Sequence, residues 1–460
     1  SSGLMGTISG SGVANVVTTG QFTIPLMKKF GYRAAFAGGV ESTSSMGGQL
    51  MPPVMGAVAF IMAETLGVEY YEVVQAAIIP AVLYFASAFW MVHLEAGKHN
   101  LVGLPKDELP SPMKALKEQW YLVLPLLMLI YLLFSGYTPL FAGTVGLALT
   151  VLLILGGSIA LGLPQGAIRM IFWVGLGLVA AAFLQFGIMV ILVAVLALIG
   201  WNALSKGGRE TLAICRDSLA EGAKTALPVG VACAVVGIII GTMTLTGAAN
   251  TFGQFIVSVG QNSLFLSLVL TMITCIVLGM GIPTIPNYII TSSIAGPALL
   301  ELGVPLIVSH MFVFYFGILA DLTPPVALAC FAAAPIAKEN GLKISMEAIK
   351  VAAAGFVIPF MAVYTPALML QDGGPLADQI GYIPAVIYIV AKTALAIGLW
   401  GAAVIGFLGS PLGWPLRILG MAAAFTLVAA LPLTDEIGFA LAALFAGLAW
   451  RQMRGRAAAA

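Results

Sequence analysis

Residues 38–57, GGVESTSSMGGQLMPPVMGA, are too polar and too glycine-rich for a lipid-facing helix, yet apolar sequence flanks them on both sides. Gly47-Gly48 and Pro52-Pro53 predict a helix that breaks in mid-span, because proline lacks a backbone N–H and its ring clashes with the preceding turn. Unpaired backbone at membrane depth survives only when buried in protein or lining a wet cavity. The stretch therefore reads as a discontinuous helix whose carbonyls and polar side chains (Ser42, Thr43, Ser44, Ser45, Gln49) face a binding site. The hydroxyl run is also compatible with plain close packing between helices. A second copy stands at residues 317–329, GILADLTPPVALA.

The two copies belong to a longer repeat. At an ungapped offset of 272 residues, Asn15 falls on Asn287, Thr19 on Thr291, Pro25 on Pro297 and Gly31 on Gly303. Leu50 falls on Leu322, Pro52-Pro53-Val54 on Pro324-Pro325-Val326, and Ala57 on Ala329. Coincident Ala or Leu carries little in so narrow a composition; Asn, Gly and three prolines at one offset carry more. Corresponding Gly/Pro-interrupted segments in two halves are the best sequence pointer to the binding site of a secondary transporter.

Hydrophobic residues make up 60% of the chain and charged residues 8%, against roughly 25% charged in soluble domains. Several runs reach the ~20 apolar residues that span a bilayer, so the chain reads as a polytopic membrane protein. The net charge of +1 offers nucleic acid nothing. Cys215, Cys233, Cys275 and Cys330 form no CxxC pair, and His93, His99 and His310 form no ligand cluster. HExxH is missing, Lys392 has no serine at helical spacing, and no GxxxxGK[ST] occurs, so neither an intramembrane enzyme nor an ATP-driven pump is indicated. No cofactor is expected beyond coupling ions. The chain opens inside a glycine-rich motif without Met, which reads as a fragment missing its N-terminus.

Residues 1–20 read as the tip and second arm of a re-entrant hairpin. Ser9, Gly10, Ser11 and Gly12 place amides and hydroxyls at a helix N-terminus, which suits an anion. The first broken helix covers about 32–64, and a span follows at 73–94. Residues 110–119 fit a helix lying on the membrane surface, and spans are expected at 120–134 and 139–161. Residues 167–201 form one apolar run, about 50 Å long as a single helix against a ~30 Å hydrocarbon core. Two crossings turning near Gln185-Phe186-Gly187 fit better, because they put nineteen of the twenty Lys and Arg on one, cytoplasmic side. They also set the second repeat upside down relative to the first. A span at 228–245 is entered from a surface-lying stretch, 208–224. Residues 264–300 read as a second hairpin, with Gly279, Gly281, Thr284 and Asn287 at its tip. The second broken helix covers 306–334, and spans follow near 346–368, 385–407, 416–431 and 437–450.

Asp321 sits in the second break beside Thr323-Pro324-Pro325. A carboxylate there is costly unless paired, so a coupling cation is its natural partner; capping the following half-helix is the other role open to it. Lys392 falls mid-span and either snorkels or pairs inside the bundle. For Glu41 a structural hydrogen bond and ion binding both stand.

The segments GLMGTISGSGVANVVTTG, GYRAAFAGGVESTSSMGGQLMPPVMGA, LGMGIPTIPNYI and HMFVFYFGILADLTPPVALA together resemble the large membrane subunit of tripartite ATP-independent periplasmic (TRAP) transporters, in particular the fused-permease branch served by TAXI-type binding proteins. The resemblance covers residues 1–370, with the C-terminal spans fitting more loosely. It implies an all-α elevator fold of two inverted repeats, each with a re-entrant hairpin and a discontinuous helix. Residues 1–65 and 261–345 would form the transport domain, 66–260 the scaffold with its surface helices, and 346–460 the C-terminal spans. It implies import of an organic anion, coupling to sodium, delivery by a periplasmic TAXI-type binding protein, a small TRAP membrane subunit (separate or fused upstream), and a place in the bacterial or archaeal inner membrane. Carried over by motif, the substrate positions are Ser9, Gly10, Ser11, Asn15, Thr284 and Asn287. The cation positions are Ser45, Gly47, Gln49, Pro52, Gly279, Gly281, Asp321 and Thr323. A sodium/dicarboxylate-type symporter working without a binding protein is the alternative with the same architecture.

Overall fold

A computed structural model of the chain describes residues 2–103, 111–164, 166–205, 207–261, 263–372, 374–429 and 433–457. Lys106, Pro110 and Lys206 of the predicted basic and surface segments, and the last alanines of the tail, lie outside the described residues. The described chain is all-helical, the arrangement that lets so apolar a sequence satisfy its own backbone in lipid. It divides into two compact units, residues 107–231 and residues 1–106 together with 232–460.

The larger unit opens with α1 (Ser2–Ser9) and α2 (Gly12–Lys29). Ser11 is extended, and its hydroxyl accepts from the Ala14 N–H at 3.3 Å, which starts α2 with a side-chain cap. α3 (Ala34–Gly48) ends on the Gly-Gly pair, residues 49–57 are irregular, and α4 (Val58–Leu66) resumes the helix until Gly67 stops it. α5 (Tyr70–Lys98) comes next.

In the smaller unit α6 (Pro112–Gln119) precedes α7 (Leu124–Phe134), α8 (Pro139–Gly162), α9 (Ala167–Phe186) and α10 (Ile188–Leu204). The long apolar run is thus two helices, parted at Gly187 with a φ of 72°. Trp173 and Leu176 lie against Gly156, and Ala180 lines a cavity with Leu149 and Leu152, so α9 runs antiparallel to α8. Ile191 returns at the level of Leu152, and the Asn202 amide donates to the Leu155 carbonyl at 3.2 Å, so α10 runs parallel to α8. The chain therefore reverses at Gly187, as the basic-residue count predicts.

α11 (Gly208–Leu245) corrects the expectation of a surface stretch leading into a span at 228. It is continuous through Pro228. Residues 208–227 are mostly good helix formers, and one proline removes a single backbone bond from a helix held on both sides of it.

The chain continues through α12 (Ala248–Gly260), α13 (Leu264–Gly279), α14 (Thr284–Glu301), α15 (Leu306–Leu319) and α16 (Leu328–Ala337). The irregular residues 320–327 between the last two form the second break. The span expected at 346–368 is bent rather than straight: α17 (Gly341–Val351) and α18 (Ala353–Tyr364) meet at 41°. α17 is amphipathic and lies on α3, where an added Cβ on Gly39 would sit 2.9 Å from the Ala348 nitrogen. The uniformly apolar α18 turns away from it. After α19 (Pro375–Ile380), the helices α20 (Tyr382–Ile405), α21 (Trp414–Val428) and α22 (Thr434–Ala457) pack on one another, and α20 packs on α5. Lys98 and Arg417 donate to the last carbonyls of α20, from Ala403 to Ile405, at 2.7–2.9 Å. Lys392 pairs inside this bundle, with Nζ 2.9 Å from the Asp435 carboxylate, which also accepts from Tyr388.

Among the described residues α5, α8, α11 and α20 are each long and apolar enough to cross a bilayer, and the bent α17–α18 pair adds a fifth crossing by the same measure.

Candidate functional site

The first break is hydrogen-bonded to the hairpin that precedes it, and the second to its own broken helix and to α17. In the first, Thr7 of α1 donates to the Met51 carbonyl and accepts from the Met55 N–H at 3.1 Å, while its own carbonyl accepts from Gly56 at 2.9 Å. Tyr70 donates to the carbonyls of Pro53 and Val54. The hairpin touches the broken helix through bare backbone. A Cβ on Gly48 would fall 2.6 Å from the Gly6 Cα, and one on Gly56 2.6 Å from the Gly10 Cα. Both Gly10 and Gly56 have positive φ, so side chains are excluded there twice, by space and by conformation. In the second break, Ser345 donates to the Leu322 carbonyl, Thr323 to the Leu319 carbonyl, and the Ala329 N–H to the Asp321 carbonyl. Both Pro-Pro bonds, 52–53 and 324–325, are cis.

The two breaks interlock. α16, which leaves the second break, packs on α2 and α3; α4, which leaves the first, packs on α14 and α15. The Ser42 hydroxyl donates to the Ala329 carbonyl at 3.2 Å, and the Lys28 ammonium donates to the Ala337 carbonyl at 2.7 Å. Lys28 stands at the end of α2 that feeds α3, so α3 runs from that end inward while α16 runs outward to it. The two broken helices are antiparallel at their meeting.

The repeat extends to side-chain chemistry. The Asn15 amide donates to the Ser45 hydroxyl at 3.0 Å and to the Ser2 carbonyl at 2.8 Å. At the corresponding place Asn287 donates to the Gly317 carbonyl at 2.8 Å, its amide slotted between Gly279 and Gly317. In each repeat, then, a hairpin asparagine clamps the broken helix. Four buried oxygens are left without a hydrogen-bond partner here: Asn15 Oδ1, Gln49 Oε1, Asn287 Oδ1 and Asp321 Oδ1. At the offset of 272, Asn15 corresponds to Asn287 and Gln49 to Asp321. Other buried polar atoms also lack partners, but these four correspond in pairs through the repeat. An unpaired buried acceptor costs about 1–3 kcal/mol, and a cation or a donor supplied by a bound molecule removes that cost.

The remaining predicted positions divide. Gly281, at a φ of 76°, brings the second hairpin tip against Val326 in the second break. Thr284 starts α14 and Ser9 ends α1, both at the hairpin tips. The Ser11 hydroxyl accepts one bond from its own helix. Pro52 lies within the first break, and the Thr323 hydroxyl is engaged by Leu319. Gly47 packs against the Tyr84 ring, which Gly355 meets from the other side, so its missing side chain makes room for an aromatic ring. Ser42 and Thr43 are buried and bonded to the carbonyls of Ala329 and Ala348. Their hydroxyls serve packing between helices, which corrects the expectation that they face the site. The neighbour that claims each one lies about three hundred residues away in the chain.

Sequence reasoning missed Thr7 and Tyr70. A signal for Thr7 was present, since the repeat sets it on Gly279 at the second hairpin tip. It also left open the use of Glu41. That carboxylate is 2% exposed and accepts from four hydroxyls: Ser2 at 2.8 Å, Thr19 at 2.6 Å, Ser45 at 3.1 Å, and Thr23. Neither Glu41 nor Asp321 takes part in a salt bridge among the described residues, and no group of three or more His, Cys, Asp or Glu side chains there suits a chelated metal.

Comparison with known proteins identifies a family. The chain is 30% identical over 139 residues to the sialic acid TRAP transporter large permease protein SiaM of Vibrio cholerae, covering 30% of this chain and 32% of that protein. It is 29% identical over 141 residues to the uncharacterized protein y4mL of Sinorhizobium fredii, covering 30% and 33%. The aligned segments thus span about a third of each relative. Residues 1–376 match the family described as "Tripartite ATP-independent periplasmic transporter, DctM component". The chain belongs to that family, whose members are multi-span membrane permeases rather than enzymes.

Proposed function

We propose that this chain is the permease of a cation-driven importer of organic carboxylates. A separate periplasmic binding protein of the TAXI type delivers the substrate, and a small TRAP membrane subunit, separate or fused upstream, completes the assembly in the inner membrane. The observation that carries this reading is the pairing of unpartnered buried oxygens in two interlocked, oppositely running broken helices. Amide oxygens do not hold protons at ordinary pH, whereas they are good ligands for a hard cation. Asn15 and Gln49 in one repeat and Asn287 in the other therefore favour sodium over a proton relay, which assigns the two asparagines to the cation rather than to the substrate.

In this reading the transport domain is residues 1–65 and 261–345, residues 66–260 form the scaffold, and 346–460 are the C-terminal spans. The hairpin tips, with Ser9, Gly10, Ser11 and Thr284, offer helix N-termini to the substrate carboxylate. Ser45, Gly47, Pro52, Gly279, Gly281 and Thr323 shape the breaks around the cation oxygens. Cation binding neutralises Asp321, so the loaded domain carries no bare charge across the bilayer. The basic loops and the C-terminus are cytoplasmic.

The test is uptake of candidate organic acids into proteoliposomes by the full transporter, with sodium varied and the binding protein added or withheld. Saturable uptake that needs both sodium and the binding protein is expected. Uptake without the binding protein would support the stand-alone symporter instead, and sodium-independent uptake would overturn the cation assignment.

A further inference from the structure

A second concavity lies away from the breaks. It is a crevice of about 270 Å³ between α13, α18, α20 and α21, walled by Phe265, Met272, Phe356, Phe360, Trp400 and Phe425. Nearly every wall atom is carbon, so water or a polar solute would forfeit hydrogen bonds inside it. The volume equals about nine waters at ~30 Å³ each. A space of that size suits a slender apolar chain better than a helix, which is about 10–12 Å across with its side chains.

The rim identifies the occupant. Phe265 is 50% exposed and Phe425 67%, one on α13 and the other on α21, so the mouth opens onto the outer surface. That surface is apolar, with Ile383 and Ile387 of α20 and Ile418 of α21 also exposed. In a multi-span membrane protein the medium against such a surface is the acyl chains of the bilayer, and the crevice is continuous with it.

We propose that this crevice is a seat for one acyl chain of a bilayer phospholipid. The chain fills the space between the arm of the second hairpin, α13, and the C-terminal helices α20 and α21, taking the contacts that protein atoms do not make. The seat requires only that the protein spans a membrane with α13 placed against α18, α20 and α21 as it is in this structure.

The test uses the whole chain in phosphatidylethanolamine/phosphatidylglycerol vesicles doped with a phosphatidylcholine bearing a photoactivatable diazirine on one acyl chain, with peptide mapping of the label. Lipid label is expected on the inward wall residues Met272, Phe356 and Phe360 as well as on outward Ile383 and Ile387. Ala424→Trp, which fills the crevice, should lower wall labelling at least fivefold and leave Ile383 and Ile387 unchanged. Ala396→Trp, filling it from α20, serves if the first variant misfolds. Unlabelled walls in the parent, labelling unmoved by a folded filling variant, or walls that crosslink to protein instead of lipid would each overturn the proposal.

Discussion

Each repeat buries one carboxylate, and the two are treated in opposite ways. Glu41 lies within the helix leading to the first break, where four hydroxyls donate to it. Asp321 lies inside the second break with one oxygen unpartnered and 5% of the residue exposed. The repeat does not superpose them: Glu41 corresponds to Val313, and Asp321 to Gln49. Burying an ion costs several kcal/mol unless partners replace its water. Glu41 recovers that cost within the protein, through hydrogen bonds worth about 1.5–3 kcal/mol each to a charged group. Asp321 has no such partner for its buried oxygen among the described residues. The two buried carboxylates therefore differ in the number of donors around each, four for Glu41 against none for the unpartnered oxygen of Asp321, and the proposed cation would supply what Asp321 lacks.

The largest effect that can break this contrast is expected at Asp321. Asp321→Asn keeps the shape and removes the charge. Sodium-dependent uptake should fall on the order of a hundredfold with melting temperature little changed; an unaltered sodium dependence would remove Asp321 from the site. Glu41→Val, which installs the residue of the second repeat, should do the reverse. Four hydroxyls lose their acceptor, and stability in detergent should drop by about 3 kcal/mol, while the sodium concentration giving half-maximal uptake stays where it was in the folded fraction. If that concentration shifts instead, Glu41 belongs to the ion path and the distinction between the two carboxylates fails.

Thr7→Val removes one donor and one acceptor from the first break and should cost about 2 kcal/mol in thermal unfolding, with Thr7→Ser restoring most of it. Stability kept in Thr7→Val but lost in Thr7→Ser would mean that the methyl, and not the hydroxyl, supports Met51 and Met55. The smallest effect is expected from Gln49→Asp, which gives the first repeat the residue of the second. Sodium affinity without substrate, read by protection against thermal unfolding, should rise about fivefold. No change would show that Gln49 Oε1 does not face a cation.

Much of the fold is legible in the sequence because its signals are local. Gly47-Gly48 and the two Pro-Pro pairs mark breaks through backbone chemistry alone. The basic residues predict a reversal near Gly187, and the structure places it there. Other features cannot be read this way. α17 and α18 part at 41° where α17 packs on α3, and α11 runs through Pro228 because good helix formers flank one missing backbone bond. The site is half legible. The repeat offset alone pairs Asn15 with Asn287. It does not separate Ser42 and Thr43, used up by α16 and α17, from Gln49, whose oxygen remains unpartnered.

The amino-acid order is enough to say where helices must stop, which places repeat one another, and that the whole resides in a membrane. Those properties come from missing backbone donors, spacing and apolar composition, each belonging to a short stretch. Folding in three dimensions was needed to settle that the two breaks interlock head to tail, and which polar atoms end without a partner. A hydrogen bond is decided by what stands within about 3 Å in space, and at this site that neighbour is often the other half of the chain.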